Sequence, residues 1–337
     1  MTVIGITMGC PAGIGPEIIL RYFAETTPPT GTTPVVLGDR SILAKCAADL
    51  GIEAQFSSWQ PGQSIQPQTI PILELSTIPC ESHNWGHPTK ETAVAMAEYI
   101  IRAVQLIHDG HLAAMVTCPI SKSALQKAGY NFPGHTEMLV HLTGAERYTM
   151  MMAGTSLKVT LATIHCSLAS VPKNITITSI SELIRITHQA MRVDFGLKQP
   201  RIAVAGLNPH SGEDGLFGSE EIEIITPAIE LAASENIDVT GPYPPDTVFF
   251  KAAAGNYDAV VCMYHDQGLI PFKLLHFQDG VNVTLGLPIV RTSVDHGTAY
   301  DIAGEGLADA TSLASAVTMA AAISNNRKLY QKATTVS

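Results

Sequence analysis

Short, β-branched apolar runs alternate with helix-period segments along this chain, and that alternation restricts the fold more than any other feature. The runs fall at residues 3–8, 35–37, 112–117, 158–164, 201–205 and 258–263. Between them, residues 91–108 place Ala93, Val94, Ala97, Ile100, Ile101 and Val104 on one helical face, with Gly110 as a stop. Ser179 and Glu182 carry a capping-box spacing for a helix running to about Phe195, and 220–235 is a third helical segment. Strands that alternate with helices imply βαβ units and a mostly parallel sheet. The Pro-, Thr- and Gln-rich stretches 26–34 and 57–71 read as surface loops.

A parallel α/β fold says where chemistry belongs, because ligands sit beyond the carboxyl ends of the strands. Three histidines meet that condition. His165 follows run 158–164, His210 follows run 201–205, and His265 follows run 258–263. Neutral imidazoles from three strand ends can hold one divalent metal and leave positions open for a substrate; the alternative is three hydrogen-bonded structural histidines. Lys273, Asn282 and Arg291 add two cations and an amide in a Gly- and Pro-rich stretch, a plausible anion or phosphate clamp, against the alternative of solvated surface charges. Gly134, His135, Thr136 and Glu137 form a helix-opening turn whose amides, assisted by His135, can meet an anion.

Composition removes several classes. With 20 Lys plus Arg against 30 Asp plus Glu, the formal net charge of −10 argues against a nucleic-acid binder. Six scattered cysteines without a C-x-x-C pair give no zinc finger or redox motif and suit a reducing compartment. No segment offers 18 uninterrupted apolar residues, and the N-terminus lacks a signal-peptide pattern, so the expectation is a cytoplasmic protein without membrane association. The glycine-rich turn at 9–17 departs from G-x-G-x-x-G because Ile18 takes the third glycine position. There is no P-loop and no G-x-S-x-G elbow.

Jointly these segments resemble the 4-hydroxythreonine-4-phosphate dehydrogenases of pyridoxal phosphate biosynthesis, with their relatives acting on D-threonate or D-erythronate 4-phosphate. The resemblance spans the chain: Pro-Ala-Gly-Ile-Gly-Pro-Glu at 11–17, Pro-Gly-His-Thr-Glu at 133–137, Gly-Leu-Asn-Pro-His-Ser-Gly-Glu at 206–213, Pro-Asp-Thr at 245–247, Met-Tyr-His-Asp-Gln-Gly at 263–268, and the long segment 280–299. It implies metal ligands at His165, His210 and His265, and substrate contacts from His135, Thr136, Lys273, Asn282 and Arg291. It also implies a two-domain α/β/α fold of the isocitrate and isopropylmalate dehydrogenase type, with the active site in the interdomain cleft. One discontinuous domain is expected from 1–125 and 285–337, the other from 126–284.

By the same resemblance, His296, Gly297, Thr298 and Ala299 hold the adenosine end of NAD. A three-histidine shell suits zinc as the divalent metal, while open positions filled by substrate oxygens serve magnesium, manganese or cobalt. Asp266 and Asp246 are candidates for proton transfer or for supporting a ligand histidine, and Lys273 stands with them in the catalytic set. A homodimer is implied, the third histidine crossing the interface. The implied reaction oxidises and decarboxylates a small 4-phosphorylated 3-hydroxy acid. Two rivals stay open: a three-histidine metal hydrolase or aldolase, and a non-catalytic binder of phosphorylated sugar acids. Cys10 stands where family members usually carry an acidic residue, and segments 244–249 and 269–280 look more like the threonate and erythronate branch.

Overall fold

A computed structural model describes residues 2–335. Twelve strands occur among the described residues: β1 (Thr2–Thr7), β2 (Thr32–Gly38), β3 (Phe56–Ser58), β4 (Ile70–Glu74), β5 (Ala114–Thr117), β6 (Thr149–Ala153), β7 (Lys158–Leu161), β8 (Ile202–Ala205), β9 (Val239–Tyr243), β10 (Ala259–Cys262), β11 (Val281–Leu285) and β12 (Arg291–Val294). The chain divides into two compact units. The first comprises the chain up to Glu146 with Leu287–Ser324; the second comprises Arg147–Gly286 and the chain from Asn325 onward.

In the first unit the strand order is β3-β4-β2-β1-β5-β12, and every pair is parallel. Helix Lys90–His108 starts at a reciprocal cap, in which the Thr92 amide donates to the Thr89 hydroxyl at 3.3 Å and the Thr89 amide donates to the Thr92 hydroxyl at 2.8 Å. Its Met96, Ala97, Ile100 and Val104 pack with Val35, Leu37 and Met115 of the sheet. Gly9, two residues past β1, takes φ +70°, and a Cβ there would stand 2.4 Å from the Pro119 carbonyl oxygen, so only glycine lets the 9–15 turn lie against the segment that follows β5.

In the second unit the order is β11-β6-β7-β10-β8-β9, with β11/β6 and β6/β7 antiparallel and the remaining pairs parallel. Alternation along β8 sends Ile202 and Val204 to one face, against Ile180, Ile184 and Ile229, and Ala203 and Ala205 to the other, against Val248, Phe249 and Phe272. Both faces are covered, as parallel strands require.

The structure departs from the sequence expectations in several places. The capping box of helix Ile177–Val193 is Thr176 with Ser179, one turn before the expected pair, because Thr176 takes the extended conformation an N-cap needs. The expected loops 26–34 and 57–71 contain the start of β2, the end of β3 and the start of β4. Residues 220–235 begin as a π-turn, Glu221–Ile225, before helix Thr226–Ala233.

The unit boundary falls after Glu146, not at 125/126, since Met138 and Leu139 join the core built on helix Lys90–His108. From Asn325 the long C-terminal helix counts with the second unit, where Asn326 Nδ2 donates to the Asp194 carbonyl and Arg327 Nε donates to Asp194 Oδ1 at 2.6 Å.

Candidate active site

Arg291 opens β12 and is 3% exposed. Its Nε and Nη2 donate to Thr117 Oγ1 at 3.1 and 2.7 Å, fixing the guanidinium plane beside the end of β5. Burial lowers its pKa to about 10, with Glu137 opposing the shift. His135 begins helix His135–Thr143, whose N-cap, Gly134, contributes no side-chain hydrogen bond to the first-turn amides. The His135 Nε2 is buried with no hydrogen-bond partner. Burial holds this imidazole well below its ordinary pKa, and the charges of Arg291 and Lys122 add to the effect, so the ring is neutral near pH 7.

A buried guanidinium, an orphaned imidazole nitrogen and an uncapped helix start are what a small oxyanion needs. Thr136 is the second residue of that helix. Lys122 and Thr117 escaped the sequence reading, although both belong to the carboxyl end of β5, where strand-end reasoning would have found them.

Cys10 is buried in the same unit and accepts from the Tyr300 hydroxyl at 3.3 Å, while burial pushes its thiol pKa up. Tyr300 follows Ala299, which takes φ +42°, and the Thr298 carbonyl accepts from the Ile14 amide at 3.1 Å. A Cβ on Gly13 would stand 3.0 Å from the Thr298 oxygen, so the 9–15 turn and segment 296–299 lie in close contact, with Gly297 open on its outer side. An open backbone surface of this kind fits the edge of a flat heterocycle.

The second unit carries the histidines. His165 and His265 lie beyond β7 and β10, with ring centroids 6.1 Å apart, and share a cleft of about 260 Å³ with Thr163, Tyr264 and Asp266. Thr163 Oγ1 donates to the Met263 carbonyl at 2.8 Å and joins the two strand ends. His265 Nδ1 meets Asp266 Oδ1 at 2.7 Å; with an ionised carboxylate this nitrogen is the donor, which leaves Nε2 with its lone pair. Gln267 accepts from the Met263 amide at 2.7 Å and donates to the Gly206 carbonyl at 2.6 Å, tying this end to β8.

His210 does not line that cleft; it sits at φ +52° with its ring 6.2 Å from Phe217. Among the described residues of one chain, no group of three or more His, Cys, Asp or Glu side chains is placed to hold a metal ion. The imidazole pair fits an ion nevertheless, since both rings face one opening and can supply two of its ligands.

Lys273 lies on helix His265–Leu275 with its ammonium 5.6 Å from the Phe277 ring centre. Asn282 lies on β11, where its Oδ1 is buried without a partner, and Asp246 lies in the first turn of helix Pro245–Ala253. His135, Thr136, Arg291 and residues 296–299 thus belong to the first unit, and the remaining candidates belong to the second.

The two clusters define an α/β protein with a buried guanidinium and imidazole in one unit and a strand-end imidazole pair in the other. The sequence matches the family described as pyridoxal phosphate biosynthetic protein PdxA over residues 30–320. A 4-hydroxythreonine-4-phosphate dehydrogenase from Desulfosudis oleivorans is 54% identical, covering 94% of this chain and 95% of its own. A crystal structure of 4-hydroxythreonine-4-phosphate dehydrogenase from Klebsiella pneumoniae superposes with a TM-score of 0.89 at 41% identity, covering 96% of this chain and all of its own. A protein of Oceanobacillus iheyensis with the provisional name D-threonate 4-phosphate dehydrogenase is 42% identical, covering 94% of this chain and 96% of its own. The chain belongs to the PdxA family. Between the two named activities, the higher identity lies with 4-hydroxythreonine-4-phosphate dehydrogenase, opposite to the lean of segments 244–249 and 269–280.

No helix among the described residues is long and apolar enough to cross a membrane.

Proposed function

We propose that this chain is an NAD- and metal-dependent oxidoreductase that oxidises and decarboxylates a 4-phosphorylated 3-hydroxy acid, with 4-hydroxythreonine 4-phosphate as the first substrate to test. The observation that carries the reading is the buried Arg291, whose charge acts on the buried His135 with its orphaned Nε2, a cation and an unpaired ring nitrogen suited to a phosphate group. The 42% identity to the Oceanobacillus protein supports D-threonate or D-erythronate 4-phosphate, which would yield dihydroxyacetone phosphate, as the second reading.

In this reading the fold is of the isocitrate and isopropylmalate dehydrogenase type, and candidate residues of the first unit and of the second act on one substrate. Arg291, His135, Thr136 and Lys273 hold the phosphate, remote from the reacting carbon, so that binding energy there orients C3. Asn282 directs its amide at a substrate hydroxyl or amine. Asp266 fixes the His265 tautomer, and Asp246 takes up the hydroxyl proton. Residues 296–299 would hold the adenosine end of NAD, whose nicotinamide would supply the hydride acceptor, and the strand-end histidines would hold a divalent ion, zinc, magnesium, manganese or cobalt, that would supply Lewis-acid polarisation of the C3 oxygen. The 3-oxo acid that results loses its carboxylate as carbon dioxide.

His165 and His265 share a cleft that His210 does not line, which supports a homodimer in which His210 of the partner subunit completes the metal shell. Ile270 and Leu274, one turn apart on the helix that His265 opens, are 67% and 85% exposed and suit an interface.

The test is NADH formation with 4-hydroxythreonine 4-phosphate, D-threonate 4-phosphate and D-erythronate 4-phosphate, side by side and with metal present. Turnover of one of them supports the reading. Failure of all three leaves a metal hydrolase, an aldolase or a non-catalytic sugar-acid binder.

A further inference from the structure

We infer that Glu221 is the positioning residue for His210; this rests on reading His210 as a metal ligand. Five successive residues after β8, His210 to Asp214, take left-handed backbone angles, with φ of 52, 54, 81, 43 and 54°. L-residues visit that region singly, because their Cβ crowds the following carbonyl, and a run persists only where neighbouring contacts over-determine it.

Backbone bonds from Ser211 to Asn208, Leu216 to Glu213 and Phe217 to Gly212 hold the run itself, and one side chain holds the residues that lead into it. Glu221 is 3% exposed; its Oε1 accepts from the amides of Leu207 and Asn208, each at 2.7 Å, and its Oε2 accepts from Asn208 Nδ2 at 2.9 Å. The same Asn208 Nδ2 donates to Glu220 Oε2 at 2.7 Å. Gly212, inside the left-handed run, lies so close that a Cβ there would stand 2.8 Å from Glu221 Oε2.

Glu221 is also the first residue of the π-turn Glu221–Ile225. Such turns are rare and concentrate at functional sites, because the extra residue re-aims a side chain at a cost in helix geometry. Here the re-aimed side chain is the carboxylate that anchors the start of the His210 turn. It gathers three N–H donors from the two residues that lead into Pro209, and so fixes where the turn begins. The position and direction of the His210 imidazole follow from that anchor.

The test uses the full-length protein with Co2+ alone as the probe, read by its visible d–d absorption and by calorimetric titration. Glu221→Gln keeps the side-chain shape but turns one acceptor into an amide donor facing N–H groups. Its Co2+ affinity should fall about 10- to 100-fold, with shifted d–d bands, while near-ultraviolet circular dichroism stays native. His210→Ala is the control. If Glu221→Gln binds Co2+ with wild-type affinity and bands while His210→Ala is weakened, the positioning role is overturned and His210 stands as a ligand. If His210→Ala itself binds like the wild type, His210 is not a ligand and the inference falls with that reading. Should Glu221→Gln fail to fold, Gly212→Ala decides, since it presses a Cβ onto the same carboxylate: weakened Co2+ binding supports the role, and unchanged binding in the folded variant overturns it.

Discussion

Replacing Arg291 by lysine keeps a cation in the pocket and removes the planar fork that Thr117 Oγ1 holds through Nε and Nη2 at 3.1 and 2.7 Å. Lysine presents a point charge without that orientation, so at least one charge-assisted hydrogen bond to the substrate phosphate is lost. Such a bond contributes about 1.5–3 kcal/mol, which corresponds to a fall of about 10- to 150-fold in kcat/KM. Arg291→Met separates binding from folding. Arg291 is 3% exposed, and methionine fills much of its buried space, so unfolding of the unliganded variant sets its own baseline for the effect of ligand. The stabilisation by a phosphorylated ligand, about 2.7 kcal/mol at a hundredfold excess over Kd, should vanish in that variant. Steady-state kinetics for the lysine variant and thermal unfolding with and without ligand for the methionine variant read both effects. A lysine variant within about threefold of wild type in kcat/KM, or a methionine variant with ligand stabilisation intact, would refute the phosphate role.

His135 has its pKa held well below the ordinary 6.5, so the folded protein stays deprotonated there while the unfolded chain takes up a proton. Its contribution to stability is present above pH 6.5 and is lost as the pH falls below it, on the order of 1 kcal/mol between pH 6.5 and 5.5. Urea unfolding at pH 7.5 and 5.5 should show that share missing in His135→Asn, with the remaining decline due to groups such as His83 and His188; an identical decline in both proteins contradicts the assignment. Asp266→Asn loosens the 2.7 Å contact with His265 Nδ1 and should weaken Co2+ binding about 10- to 100-fold by titration. Mixing inactive His210→Ala and His265→Ala subunits should restore about a quarter of wild-type activity, because half of the random dimers contain one intact site; no recovery places all three histidines in one chain.

The strand-end places of His165 and His265 were legible because a parallel sheet concentrates its chemistry where strands stop, whereas His210 lies five residues past its strand and does not line their cleft. The π-turn and the left-handed run 210–214 were not legible, since neither has a periodic signature, and the carboxylate that Leu207 and Asn208 hold comes from Glu221, in a different element. Thr117 and Lys122 escaped for a different reason: hydroxyls and lysines are common at strand and helix ends, and only the buried Arg291 and His135 beside them single them out. The boundary after Glu146 was hidden because Met138 and Leu139 are as apolar as any helix face, and sequence alone does not say which core they join.

The most direct measurement follows the full-length enzyme with 4-hydroxythreonine 4-phosphate and NAD, counting NADH and carbon dioxide together, first after chelation and then with divalent metal restored. We expect one carbon dioxide for each NADH, with both signals lost on chelation and regained with metal. NADH without carbon dioxide, or turnover indifferent to chelation, would contradict a metal-dependent oxidative decarboxylase.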